Sequence, residues 1–418
     1  MIAPDLATGR AIALVAVAVA ALGCVRSADA TAPGPLCIPP LLPCPVAPPP
    51  PPPPPAPTPQ PPLVIGLTEP DPRLLSAGRP GWPGAEAVAL RPRYVRVLVD
   101  WNRAQPRAGQ APNWDAPPGG CPRTAPRCRS ALGLRELLHA IKARRHADGG
   151  WQILLVPYFT PAWAATPPEG CQRPGTQARA QMPFIADYRA FLRALQRLAD
   201  EVGVDVPYWA PWNEPNHPGF LNPQRRICDR HARPLAPELY ARLVRAAIQE
   251  LRPGQQLVLG ELAGLDAPRT YGASAPEFVR ALPDDVACAG AAFGQHGYVG
   301  ERGRRGRPPL RVDPASATTA TSALLDAVDR ALTAHGCTTK LWITETGTFD
   351  HRCEAMAAAL RTWSDDPRVD AAFQYTFRES SAFPVGLVSS SLRTTYRSYD
   401  AWHAFAGMHD APPADPCG

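Results

Sequence analysis

The sequence predicts an α/β protein built as a (β/α)8 TIM barrel. Three observations predict it: a βα alternation begins at Leu63, eight short apolar runs have strand character, and amphipathic helical patterns lie between several of them. In chain order the strands are expected at Leu63–Leu67, Tyr94–Val99, Trp151–Pro157, Val206–Ala210, Gln256–Gly260, Ala291–His296, Lys340–Thr344 and Ala371–Tyr375. Between the third and fourth, Phe184, Ile185, Tyr188, Phe191, Leu192, Leu195 and Leu198 fall on one helical face. Between the sixth and seventh, Leu324, Leu325, Val328 and Leu332 do the same. Eight strand–helix units over about 350 residues fit the barrel with some long loops. A doubly wound open sheet is the competing arrangement, but no glycine-rich phosphate loop follows the first strand.

At 418 residues the chain exceeds the usual single-domain size unless it is a barrel. A hydrophobic content of 45% is ordinary for a soluble globular protein. The net charge of +6 is small for this length, so no nucleic-acid partner is implied, and the expectation is a monomer. Lys142 and Lys340 are the only lysines; with abundant Ala and Pro, the arginine excess points to coding bias more than to a physical demand.

Ahead of the barrel, which is expected to occupy residues 63–418, two segments stand out. Residues 1–30 read as a signal peptide: Arg10, an apolar run from Ala11 to Leu22, then Ala28-Asp29-Ala30 as a small-x-small cleavage site. The run is too short to span a bilayer comfortably. Ala21-Leu22-Gly23-Cys24 offers a rival reading, a lipoprotein box with Cys24 acylated, which would anchor the protein at the cell surface instead of releasing it. Residues 31–62 contain 18 prolines, eight of them in a row from Pro48 to Pro55, and must be extended polyproline. This linker reads as a spacer that holds the folded body off a cell wall or membrane, or else as an inert tail. Of 11 cysteines, setting Cys24 aside leaves ten, an even set that in an exported protein reads as disulfides. Cys121 with Cys128 and Cys37 with Cys44 are the expected pairs. No CxxC pair and no cysteine–histidine spacing suggests zinc, so no metal is expected.

The chemistry lies in two glutamates. Tyr208-Trp209-Ala210-Pro211-Trp212-Asn213-Glu214-Pro215-Asn216 closes the fourth strand region, and Lys340-Leu341-Trp342-Ile343-Thr344-Glu345-Thr346-Gly347 closes the seventh. Active sites of this fold form at the C-terminal ends of the strands, so both carboxyl groups are expected at the same mouth. A proton donor and a nucleophile are what retaining glycoside hydrolysis requires.

These motifs resemble clan A glycoside hydrolases, the retaining (β/α)8 enzymes with acid/base and nucleophile on strands four and seven. The resemblance covers about Leu63 to Gly407 and is closer to families 39 and 5 than to xylanase family 10. It implies Glu214 as acid/base within Asn-Glu-Pro and Glu345 as nucleophile. Arg96, with Trp101 and Gln105-Pro106 after it, is similar to the clan's strand-two arginine, which supports the nucleophile; a nearby cation keeps a carboxylate ionised. Gln295-His296-Gly297-Tyr298 looks like the His-x-Tyr element whose tyrosine hydroxyl bonds the nucleophile. Thr160-Pro161-Ala162-Trp163-Ala164 resembles a segment that shapes the sugar site. The clan's strand-eight Trp is absent from Phe373-Gln374-Tyr375-Thr376-Phe377-Arg378, and Tyr375 or Phe377 is expected in its place.

In that chemistry Glu345 attacks as the carboxylate, while Glu214 starts protonated with its pKa raised by burial and a negative neighbour. Asn213 is expected to bond the sugar 2-hydroxyl. Trp101 and Trp163, at loop starts, are expected sugar platforms or core residues, and Trp209 a core residue. His296 is expected to hydrogen-bond, not to ligate a metal. Glu261, ending strand five, either binds sugar hydroxyls or pairs with an arginine. Arg302, Arg304, Arg305, Arg307 and Arg311 form either a solvated loop or a basic subsite for an acidic polysaccharide. The expected activity is that of an exported retaining glycosidase on a carbohydrate substrate, with no cofactor and with water as second substrate. A transglycosylase shares every residue named, and a non-catalytic carbohydrate-binding barrel has no need of both glutamates.

Overall fold

Along a strand, side chains alternate between two faces, and in a closed sheet one face is the barrel interior. The computed structural model of the chain describes residues 63–75, 83–115, 133–148, 151–300, 314–380, 383–406 and 415–418. The leader, the proline-rich linker, Cys24, Cys37, Cys44, Cys121, Cys128 and the arginines of 302–311 lie outside the described residues. The eight strands are β1 (Val64–Thr68), β2 (Tyr94–Asp100), β3 (Gln152–Tyr158), β4 (Tyr208–Trp209), β5 (Gln256–Leu262), β6 (Ala292–His296), β7 (Lys340–Thr346) and β8 (Val369–Tyr375). All pair in parallel, in chain order, and β1 closes on β8 from Val64↔Ala371 to Thr68↔Tyr375. The open-sheet alternative is thereby excluded. Strand β4 is the short one: Pro207 and Pro211 flank it and cannot donate to a ladder.

Inside the barrel, Tyr94, Leu154, Val156, Ala210, Val258, Ala292, Trp342, Ala371 and Phe373 fill the interior below the mouth. The Tyr94 and Trp342 rings lie 4.7 Å apart, and Phe373 stacks on Tyr94 at 5.8 Å. A Cβ on Gly66 would meet the Phe373 ring at 2.3 Å, so the packing there needs glycine. The other strand face packs on the helical layer, which includes α1 (Pro83–Ala89), α2 (Trp101–Ala104), α3 (Leu134–Asp148), α4 (Ile185–Val202), α5 (Ala236–Glu250), α6 (Ala275–Arg280), α7 (Asp284–Ala287), α8 (Pro314–Ala334), α9 (Cys353–Asp365) and α10 (Ser398–Ala406). Helix α4 buries Tyr188, Phe191, Leu192, Leu195 and Leu198 as the periodicity predicts. Phe184 does not join that face; it precedes the helix at the N-cap and is exposed. Gly203, left-handed at φ 69°, ends the helix by donating its N–H to the Ala199 carbonyl. On α8, Leu325, Val328 and Leu332 are buried and Leu324 packs at their edge.

Three disulfides occur among the described residues: Cys171–Cys228, Cys288–Cys337 and Cys353–Cys417. No helix among these residues is long and apolar enough to cross a membrane.

Candidate active site

Simple alternation aims three side chains at the mouth. On β2, Tyr94 faces the interior and Arg96 follows two residues later, on the same face. On β6, Ala292 leads to Gly294 and His296, and on β8, Ala371 leads to Phe373 and Tyr375. Strands β5 and β7 break the rhythm. The β7 register shifts between Ile343 and Thr346, so Glu345 lies opposite His296 and shares the interior face. The β5 register shifts between Gly260 and Leu262, and Glu261 has φ 53°. Such bulges re-aim a side chain beside an active site. Glu214 follows β4 with φ 43°, a left-handed conformation that costs on the order of 1–3 kcal/mol for a residue with a side chain. Its amide donates to the Glu261 carbonyl at 2.9 Å, which ties the two displaced backbones together.

The side chains converge on Arg96, which is buried. Its Nη1 donates to Glu345 Oε1 at 2.7 Å, its Nη2 to Asn213 Oδ1 at 2.6 Å, and its Nε to Glu261 Oε2 at 2.8 Å; Nη2 also contacts Glu261. The Tyr298 hydroxyl donates to Glu345 Oε2 at 2.6 Å. Burial, with the Glu345 charge behind it, holds that hydroxyl well above its usual range, so it stays a donor. His296 Nδ1 lies 2.9 Å from Glu214 Oε1 and 3.4 Å from Glu345 Oε2, and its Nε2 lies 3.6 Å from Glu261 Oε2. One oxygen of Glu214, one of Glu345 and a His296 nitrogen all lie within 4.8 Å of one another.

Glu261 is thus a full member of the site, paired with an arginine as one of its two expected roles required. Burial pushes its carboxyl up, but Arg96 and His296 outweigh burial and hold it down at about 2. Burial pushes His296 down, but Glu345, then Glu214 and Glu261, raise it to about 9. The imidazole is therefore a cation at neutral pH. This corrects the expectation for Glu214. Burial does push that carboxyl up, but the His296 hydrogen bond and charge, with His217 and Arg96 behind them, leave it below its ordinary value. The negative neighbour expected to raise it is offset by a positive one that sits closer.

Glu214, His296 and Glu345 have the donor types of a metal site. Both oxygens of the Glu345 carboxylate already accept hydrogen bonds, from Arg96 and from Tyr298.

The aromatic expectations divide. Trp101 is fully buried and stacks on Phe191 at 4.8 Å, so it is a core residue and not a sugar platform; α2 begins at Trp101 and turns its ring towards α4. Trp163 is half-buried, packed edge-on against Trp101, with its indole N–H donating to the Gln105 carbonyl. Trp209 is in the core. At the end of β8, Phe377 is fully buried, whereas Tyr375 is half-buried with its ring edge-on to Tyr298 at 6.5 Å. Asn216, which the sequence offered only as part of the motif, bonds the Ala263 amide and carbonyl and locks the loop after β4 to the loop after β5.

No protein-family model matches the sequence, and no curated protein matches it. Among solved structures, the chain is similar to a monomeric beta-xylosidase from Caulobacter crescentus, at 18% identity and TM-score 0.55, over 84% of this chain and 69% of that one. It is also similar to GH5_18 from Streptomyces cattleya, solved in complex with GlcNAc, at 15% identity and TM-score 0.53, over 85% and 83%. A third similar structure is a family 39 glycoside hydrolase from the gut symbiont Bacteroides cellulosilyticus, at 16% identity and TM-score 0.51, over 84% and 64%. The chain spans less than two thirds of that last protein's length. At these identities the likeness is one of fold, and the neighbours that share this barrel are clan A glycoside hydrolases, as the motif resemblance implies.

Proposed function

We propose that this protein is an exported retaining glycoside hydrolase that cleaves O-glycosidic bonds in oligo- or polysaccharides by double displacement. The observation that carries this reading is the proximity of Glu214 and Glu345, each with a carboxylate oxygen within 4.8 Å of the other. Retaining enzymes hold their carboxyl groups about 5–5.5 Å apart, whereas inverting ones need about 6.5–9.5 Å to admit a water between them. The partners support the roles. Glu345 faces two donors, Arg96 and Tyr298, and is the nucleophile. Glu214 faces His296 and is the acid/base.

In the first step a Glu345 oxygen bonds to the anomeric carbon as the glycosidic bond breaks, and the leaving oxygen takes a proton from Glu214. That proton comes from His296 Nδ1 and is relayed through Glu214 in the same step, leaving a neutral imidazole and a Glu214 carboxylate, so the acid is the His296–Glu214 pair. Once Glu345 is esterified its charge is gone, and Glu214 removes a proton from water, which releases the sugar with its original anomeric configuration. The Asn213 carbonyl oxygen is occupied by Arg96, which leaves its amide N–H groups for the sugar 2-hydroxyl. Export agrees with the three disulfides, since such bonds persist in oxidising compartments.

The test is product release from aryl glycosides and from plant, fungal and bacterial polysaccharides, comparing wild type with Glu345→Ala and following the anomer by NMR. Release of the retained anomer by wild type alone supports the reading. Release of the inverted anomer, or equal release by the variant, overturns it.

A further inference from the structure

Beside Glu214 the mouth opens into a cavity of about 480 Å³ that the catalytic residues do not fill. Its volume is ordinary for a ligand pocket, for which about 300–1,000 Å³ is usual. The loops after β3, β4 and β5 form its walls. Arg173, Gln177 and Arg179 come from the first, His217 from the second, and Arg269 and Tyr271 from the third. Among the described residues, no carboxylate stands within ion-pair distance of Arg173, Arg179 or Arg269. Asp100 senses the Arg179 charge from farther away. Two of the guanidiniums rest on aromatic faces instead, Arg173 over Tyr271 at 5.6 Å and Arg179 over Phe159 at 4.6 Å.

The walls are braced from behind. Arg225 is fully buried and makes a bidentate ion pair with Glu277 through Nη1 and Nη2 at 2.9 and 2.8 Å. It also donates to the carbonyls of Arg269, Gly272 and Ala232. Its own carbonyl accepts from the Cys171 amide, and Cys171 is disulfide-bonded to Cys228. The loops that carry the three arginines are therefore fixed before any ligand arrives, which lowers the ordering cost of binding.

Position decides which part of a substrate enters. His217 Nδ1 lies 4.0 Å from Glu214 Oε2, so the pocket borders the proton donor. The proton goes to the leaving-group oxygen, so the leaving-group side of the chain points here. We propose that this pocket is a leaving-group subsite for an acidic sugar, a hexuronate whose carboxylate is received by Arg173, Arg179 and Arg269. The proposal rests on the hydrolase reading for its orientation, but its ligand chemistry does not. Planar guanidiniums match carboxylate geometry, and Tyr271 offers the sugar ring an apolar face.

The experiment uses the full chain carrying Glu345→Gln, so that ligand persists. Calorimetry measures binding of tetra-β-1,4-glucuronate, cellotetraose and 6-O-sulfated cellotetraose at about 20 mM and about 500 mM NaCl, since salt screens exposed charges. Tetraglucuronate is expected to bind at least tenfold tighter than cellotetraose at low salt, with the gap closing at high salt. Arg173→Gln and Arg269→Gln, both at exposed positions, should each cut that selectivity about tenfold. Tetraglucuronate binding no tighter than cellotetraose overturns the proposal, as does selectivity that survives both substitutions. Preference for the sulfated ligand alone replaces the uronate with a sulfate ester and overturns the assignment. Aryl glycosides with uncharged leaving groups test the hydrolase separately: turnover without charge-selective binding sinks only the subsite, and charge-selective binding without turnover sinks only the hydrolase.

Discussion

His296 Nδ1 lies 2.9 Å from Glu214 Oε1, in a pocket where the imidazole is flanked by three carboxylates and the carboxylate by one imidazolium. The proton of that pair therefore rests on His296, raised to about 9, and not on Glu214, which lies below its ordinary value. A pair that titrates together loses its proton as a unit.

Removing the imidazole separates the two groups. In His296→Asn, burial acts on Glu214 against only His217 and Arg96, and its carboxyl should titrate higher than in wild type. The alkaline limb of kcat/KM should nevertheless move down from about pH 9, because the remaining acid is a carboxyl. Activity on poor leaving groups should fall by roughly 100-fold or more, the range of general acid catalysis. A pH–rate profile with an unmoved alkaline limb would show that His296 holds no catalytic proton.

The same shift has a stability consequence. A histidine raised in the folded state contributes stability that is fully present below its unfolded pKa of 6.5 and is lost as pH rises through about 9. Wild type should lose thermal stability between those limits relative to His296→Asn. Parallel Tm–pH curves for the two proteins across that window would contradict the assignment.

Glu261 is the buried counter-charge of Arg96 and His296. Glu261→Gln leaves Arg96, whose side chain is fully buried, with less compensation. Breaking a buried pair in this way costs about 3–5 kcal/mol, readable as a shift in denaturant midpoint at unchanged slope. The loss should be larger at pH 7 than at pH 2, where the native carboxylate itself begins to protonate.

Tyr298→Phe deletes one donor to Glu345 Oε2 and little else. A hydrogen bond to a charged group is worth about 1.5–3 kcal/mol, so kcat/KM should drop roughly 10- to 100-fold. Unfolding free energy should fall by a similar amount, about 1.5–3 kcal/mol. A variant with full activity would remove Tyr298 from the site.

Cys171–Cys228 closes a sequence separation of 57 residues behind the basic pocket. Replacing both cysteines by serine should cost about 2–4 kcal/mol of stability, measured by denaturant unfolding. It should also weaken acidic-ligand binding more than hydrolysis of aryl glycosides, because Glu214 and Glu345 are held by other contacts.

Much of this was legible in the residues. Apolar runs bounded by turn signals located every strand to within two or three residues, because a buried parallel strand must be apolar on both faces. Glu214, Glu345, Arg96, His296 and Tyr298 stood out by motif and order, and they converge. Trp101 misled: a tryptophan at a loop start looks like a platform, yet here the chain turns at once into α2 and buries the ring against Phe191. Glu261 was ambiguous because a lone strand-end glutamate has many possible partners, and its partner lies 165 residues away on β2.

By itself, then, the sequence determined the order of the strands and the inward-facing residues that obey a period of two, among them Arg96, His296 and Tyr375. Only the tertiary structure decided three further things. The β5 and β7 bulges turn Glu261 and Glu345 inward against that period. The balance of burial against neighbouring charge puts the shared proton on His296, a sum over atoms from four strands and the loop after β4. Arg173, Arg179 and Arg269, separated along the chain, become one basic pocket because buried Arg225 cross-links the loops that carry them. Periodicity is a local property of a chain, whereas register shifts, desolvation and loop convergence exist only once distant segments meet.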